Sequence, residues 1–131
     1  MLGFVRQRQL DLAPALQILS NAPGVRATFH RAFEELEDAV AGVAALKTAP
    51  QFDRILLSAM RVRGLKELVE IAAPELTIVA GGDVDANVIQ ALCNTTGIRE
   101  FHVGRAARHD GDIRQPVDDR RVRELAALVA G

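Results

Sequence analysis

The sequence predicts an α/β fold of about five parallel βα units, and three observations carry that prediction. Short apolar runs alternate with segments of helical periodicity along the whole chain. The runs recur roughly every two dozen residues, which suits a strand, a crossover helix and two short connections. Unusual polar residues collect at the ends of the runs, where parallel α/β sheets bind their ligands.

The strand candidates are LGFV (2–5), VRATFH (25–30), RILLS (54–58), LTIVAG (76–81) and EFHV (100–103). Each has the length of a buried parallel strand. The helices between them can be read from their stripes and caps. Leu12, Ala15, Leu16 and Leu19 share one face behind Asp11 as N-cap, with Pro14 in the first turn. Asp38 caps a second helix that carries Val40, Val43 and Ala44. Leu65, Leu68, Val69 and Ala72 form a third stripe, which Pro74 stops. Asp85 caps the fourth helix, with Val88, Ile89 and Leu92 buried and Gly97 at its end. The last helix starts near Asp118 and is expected to bury Val122, Leu125, Ala126 and Val129. Before it lies a polar connection, RHDGDIRQPVDD (108–119). No low-complexity linker divides the chain, so residues 1–131 are expected to form a single domain.

Composition narrows the function classes. The 131 residues are 49% hydrophobic and 25% charged, with a formal net charge of −1. That is ordinary globular composition, and it predicts neither a nucleic-acid partner nor a membrane partner. No apolar run approaches the roughly 20 residues of a membrane span. Aromatic residues are 4% with no Trp or Tyr, so stacking platforms for bases or sugars are missing. One cysteine, Cys93, fits a reducing compartment, and the expected location is cytoplasmic. The stretch DDRRVRE (118–124) mixes both signs of charge and reads as a solvated helix face.

Strand alternation sorts the polar residues. If Ala27 and Phe29 face the helices, Thr28 and His30 face the other side of the sheet. By the same logic Phe101 and Val103 pack on helices, while Glu100, His102 and Gly104 point inward. Ser58 ends the third strand and Gly81-Gly82-Asp83 the fourth. Thr28, His30, Ser58, Glu100 and His102 should then share one surface, where unpaired polar groups would be costly.

In this order and spacing, TFHRAFEEL, FDRILLS, VAGGDV and GIREFHV resemble the CutC family, the so-called copper homeostasis proteins. The resemblance implies a TIM-type (βα)8 barrel and, by the family's name, copper. It matches the family's C-terminal part only, strands four to eight, and so implies a truncated barrel with an open, curved sheet. A complete barrel needs about 250 residues. Its uncovered inner face and open edges would favour self-association. Residues His30, Arg31, Ser58, Gly81, Gly82, Glu100 and His102 match family motif positions. Glu34 stands where the family usually has Asp, Ala59 where it has Gly, Asp83 where a third Gly is common, and Gly104 where a Ser usually follows.

Several chemistries compete for these residues. Copper is implied by the resemblance alone: Cu(I) prefers sulfur ligands, and the sulfur atoms here belong to Cys93, Met1 and Met60. His30 and His102 are the metal candidates, with Glu100 or Asp83 as a third ligand, against a plain hydrogen-bonded histidine pair. A small phosphorylated or otherwise anionic ligand would sit on Gly81, Gly82, Gly104 and Arg105, with Arg31 adding charge, against tight turns that simply need glycine. Acid–base catalysis by His30, Glu100 and His102, with Arg31 orienting the substrate, is the enzyme reading.

Overall fold

A computed structural model describes residues 1–131. The chain opens with a two-residue antiparallel hairpin, β1 (Val5–Arg6) and β2 (Gln9–Leu10). Then come α1 (Leu12–Leu19), β3 (Ala27–Phe29), a 3₁₀ turn (Arg31–Glu35) and α2 (Ala39–Leu46). They are followed by β4 (Phe52–Ser58), α3 (Leu65–Ala72), β5 (Thr77–Gly81), α4 (Ala86–Thr96) and β6 (Glu100–Phe101). Two short 3₁₀ turns, Arg105–Ala107 and His109–Gly111, lead into α5 (Asp119–Ala130). No helix is long and apolar enough to cross a membrane.

The main sheet has four parallel strands in the order β3-β4-β5-β6. The strand expected over residues 2–5 is not formed. Of this stretch Leu2 alone bridges to the sheet by hydrogen bonds, donating to Thr28 O at 3.0 Å and accepting from His30 N–H at 3.2 Å. Val5 and Arg6 turn back instead onto Gln9 and Leu10, because Gln7 and Arg8 both take left-handed φ, 50° and 60°. That is the backbone of a tight two-residue hairpin. Gly3 is needed for the approach, since a Cβ there would lie 2.8 Å from the Phe29 ring.

The expected caps form at three of the four helices that begin behind an aspartate; Asp11 precedes α1 but makes no side-chain cap bond. Asp38 accepts from Ala41 N–H and Asp85 from Val88 N–H, satisfying amides that the first helical turn leaves without partners. Gly97 ends α4 at φ 78°. Asp118 accepts from Arg120 and Arg121 N–H, and those bonds hold its carboxyl below the ordinary value.

The core lies between the sheet and its helices. Phe29, Phe52, Ile55, Leu57, Ile78 and Ala80 meet Ala15, Leu19, Val43, Leu46, Leu68 and Ala72 there. Phe29 is its centre, with ring centroids 6.0 Å from Phe33 and 5.6 Å from Phe52. The stripe of α5 departs from expectation, because no residue of that helix is fully buried and Val122 is exposed. Val122, Leu125 and Val129 line an open apolar groove with Phe101, Val103 and Ile89, beside the edge strand β6. Nothing packs on the far side of that groove, so the stripe is formed but half-covered.

Candidate active site at the strand ends

Strand register sets the inner face of the sheet. Arg54 pairs with Thr77, Leu56 with Val79 and Ser58 with Gly81, so Arg54, Leu56 and Ser58 share a face with Thr77, Val79 and Gly81. Thr28 is level with Arg54, and Glu100 with Val79. His102 continues β6, donating its N–H to Ala80 O at 2.8 Å. The expected alternation is therefore present: Ala27 and Phe29 are in the core, and Thr28 and His30 are on the other side.

The lower part of this face is tied down. Arg54 Nε donates to Glu100 Oε2 at 2.6 Å, and Nη2 donates to Oε1 at 3.1 Å. This fork, aided by Asp53 at 3.0 Å, raises the Arg54 guanidinium above its already high ordinary value. Glu100, expected as an acid–base group, is thus held as half of an ion pair.

The upper part, at the carboxyl ends of the strands, is arranged differently. His30 accepts from Ala32 N–H through Nδ1 at 3.1 Å and closes the 3₁₀ turn. A ring that accepts there carries its proton on Nε2 when neutral, and that edge has no assigned role in the turn. Arg31 follows, with its side chain 44% exposed and its Nε 3.9 Å from Glu34 Oε1. The same carboxylate oxygen accepts the backbone N–H of Ser58. Ser58 is only 3% exposed, yet its Oγ has no hydrogen-bond partner. Gly82, at φ 74°, sits beside them: a Cβ there would lie 3.7 Å from Arg31 Nη1 and 3.8 Å from Ser58 Oγ. The glycine both permits the left-handed turn and keeps that space open. Gly81 serves packing, since a Cβ on it would reach Leu56 Cδ1 at 2.9 Å. Next to this corner lies a cleft of about 880 Å³, with Leu57, Val62 and Leu68 along its apolar part and Arg31, Arg61 and Arg63 as its basic groups.

The predicted residues are therefore divided. Arg31, Ser58 and Gly82 come together. Gly104 has nothing within 4 Å of a would-be Cβ, and its φ of −112° does not require glycine. Arg105 begins the following 3₁₀ turn, and its charge reaches Asp112, whose carboxyl is held low mainly by Arg114. His30 and His102 extend strands β3 and β6, the two edges of the four-stranded sheet. Three strand spacings, about 14 Å along the sheet, separate their backbones. No group of three His, Cys, Asp or Glu side chains is placed to hold a metal. Cys93 is on α4, half-buried near Arg99 and Leu128, and Met60 is 75% exposed. This donor set does not make a copper site.

Sequence reasoning missed Arg54, Arg61 and Arg63, and it gave Glu34 no role in the site. A charged residue inside the apolar run FDRILLS, two residues from Leu56 and four from Ser58, was the signal for Arg54.

Comparison with known proteins bears on the fold and the family. The family model described as the CutC family matches residues 2–107. A CutC family protein of Xanthomonas campestris is 38% identical over 103 residues, covering 73% of this chain and 42% of the relative. One of Bacteroides fragilis is 33% identical over 99 residues, covering 71% and 39%. The human protein named copper homeostasis protein cutC homolog is 26% identical over 111 residues, covering 80% and 40%. The crystal structure of CutC from Streptococcus agalactiae superposes with a TM-score of 0.67 at 27% identity, covering 76% of this chain and 52% of that one. The chain spans about two fifths of the length of the curated relatives it matches.

Proposed function

This chain belongs to the CutC family, and on that premise we propose that it acts in copper homeostasis, as relatives are named for, by binding a small anion at its strand ends. In this reading its strands correspond to the later βα units of the family's barrel. Arg31 supplies the charge, Ser58 Oγ a hydroxyl and the Gly82 turn the room. The cleft's apolar side and its further arginines suit a phosphorylated or carboxylated small molecule. Copper held by the chain's own side chains is not part of the proposal, because the soft donors lie elsewhere.

The observation that carries the proposal is the Ser58 hydroxyl, buried without a partner beside a guanidinium. A buried hydroxyl left unpaired costs about 1–3 kcal/mol, so such groups either find a partner or serve a ligand. Acid–base chemistry by the free edge of His30 would act on a substrate held by this anchor.

The test is calorimetric titration of the purified chain with inorganic phosphate and with acetate, for the parent and for Arg31→Ala. The expected result is saturable binding that Arg31→Ala weakens by at least about tenfold, the scale of one lost charge-assisted bond. Unchanged binding in Arg31→Ala, with the fold intact by circular dichroism, would remove the strand-end site from consideration.

A further inference from the structure

The donors at the end of β4 are not idle. One oxygen of Glu34 accepts the Ser58 N–H and lies 3.9 Å from Arg31 Nε. These are a backbone amide and a guanidinium, the two donor types that an incoming carboxylate or phosphoryl group would use. Glu34 is also well placed to stay there, with its side chain only 19% exposed. It belongs to the 3₁₀ turn Arg31–Glu35, which is anchored by His30 at one end and by the Leu36 N–H bond to Phe33 O at the other. Such turns have poorer hydrogen-bond geometry than an α-helix and rearrange more readily. Beside this carboxylate are the unpartnered Ser58 Oγ and the space above Gly82, which Glu34 does not use.

Resting on the anion-site reading above, we infer that Glu34 is the site's resident anion, an internal carboxylate that a ligand oxyanion must displace. The ligand takes over the Ser58 N–H and Arg31 and adds the Ser58 hydroxyl, which the internal carboxylate leaves unpaired. That extra partner gives an external oxyanion its advantage over Glu34. The intrasteric carboxylate also discriminates: a weak anion does not repay the displacement, while a ligand with an apolar body can draw on the cleft beside Leu57 and Val62.

The test compares the parent with Glu34→Gln and Glu34→Ala, titrated separately with inorganic phosphate and acetate. Glu34→Gln keeps an oxygen for the Ser58 N–H and removes the charge, so the anchor's fold is retained; Glu34→Ala removes the occupant altogether. Thermal melts confirm that each variant is folded. The expected result is at least about tenfold tighter binding in both variants, because a like charge no longer competes. A gain confined to phosphate assigns the site to phosphoryl groups, and a gain confined to acetate assigns it to carboxylates; either supports the inference. Equal affinity in all three proteins, with binding still lost in Arg31→Ala, overturns the inference and leaves the anion site standing. Weaker binding in the Glu34 variants overturns it too, making Glu34 a support and not a competitor. Absence of binding in every folded variant overturns both readings.

Discussion

Replacing Ser58 with alanine tests the site without any ligand, because function and stability should move in opposite directions. The residue is 3% exposed, and its Oγ finds neither donor nor acceptor. Its backbone N–H is committed to Glu34 and is unaffected by the change. Desolvating a hydroxyl without compensation costs about 1–3 kcal/mol in proteins. Removing one oxygen leaves a void well under the size of a methyl group, so the cavity penalty is small by comparison. The balance is a gain of about 1 kcal/mol for Ser58→Ala in ligand-free buffer. For a domain of this size that corresponds to a melting temperature roughly 3–5 °C higher. Urea unfolding followed by circular dichroism gives the free energy directly, and an unchanged m-value shows that the denatured state is unaltered. Added phosphate should then stabilise the parent more than the variant, since ligand stabilisation follows affinity. A loss of more than about 1 kcal/mol in ligand-free buffer would refute the reasoning, because it would mean that the hydroxyl is bonded structurally.

Other expectations follow from the same geometry. A double-mutant cycle on Arg54→Ala and Glu100→Ala should show coupling of about 1 kcal/mol, at the upper end for exposed pairs because the fork is bidentate; urea unfolding of the four proteins measures it, and coupling below about 0.3 kcal/mol would place the pair among inert surface contacts. Phe29→Ala removes the centre of the aromatic cluster and should cost about 3–5 kcal/mol, enough to leave a marginally stable domain largely unfolded in a thermal melt. Asp118 has its carboxyl pKa lowered in the folded state, so its contribution is present above the ordinary value of 3.8 and is lost as pH falls through the depressed one; Asp118→Asn should keep the α5 cap and flatten that acid step in an amide-exchange or helicity profile. Cu(I) titration against a competing chelator should be unchanged by Cys93→Ala, and a loss of uptake would bring that thiol into a site the fold does not otherwise form.

Much of this arrangement was legible because its signals are local. The caps Asp38 and Asp85 precede their stripes by fixed offsets, and each makes its bond. The inward set Thr28, His30, Ser58, Glu100 and His102 follows from the period of two, once the strands are placed. The failures have non-local causes. Nothing in LGFV shows that Gln7 and Arg8 will adopt left-handed φ, a conformation usually announced by Asn or Gly, so a strand was read where a hairpin forms. In the sequence Glu100 reads as a free carboxylate because its partner, Arg54, is 46 residues away and meets it only through two strand registers. His30 and His102 read as a pair because alternation gives a face and not a distance, and the strand order puts them at opposite edges. The half-covered stripe of α5 had the right period, but period does not say what lies opposite.

The same inner face follows opposite rules at its two ends, and the contrast locates the site better than any single residue does. At the base, charges are paired: Arg54 forks onto Glu100 and reaches Asp53, a set that resembles what sequence optimisation for stability would choose. At the top, the chain keeps several costs that simple substitutions would remove. Ser58 buries an unpartnered hydroxyl. Gly82 and Asp83 take consecutive left-handed conformations, φ 74° and 50°, and the aspartate pays about 1 kcal/mol for it. Arg31 stays 44% exposed while facing a carboxylate from only one side. Strain and unsatisfied polarity persist where the surrounding structure enforces them, and they concentrate at sites that act on something else. Here they fall within one corner at the carboxyl ends of β3, β4 and β5. If Ser58→Ala stabilises the free protein and weakens phosphate binding, the corner is a site kept at the expense of stability. If it stabilises the protein and leaves binding untouched, the cost belongs to the backbone path alone.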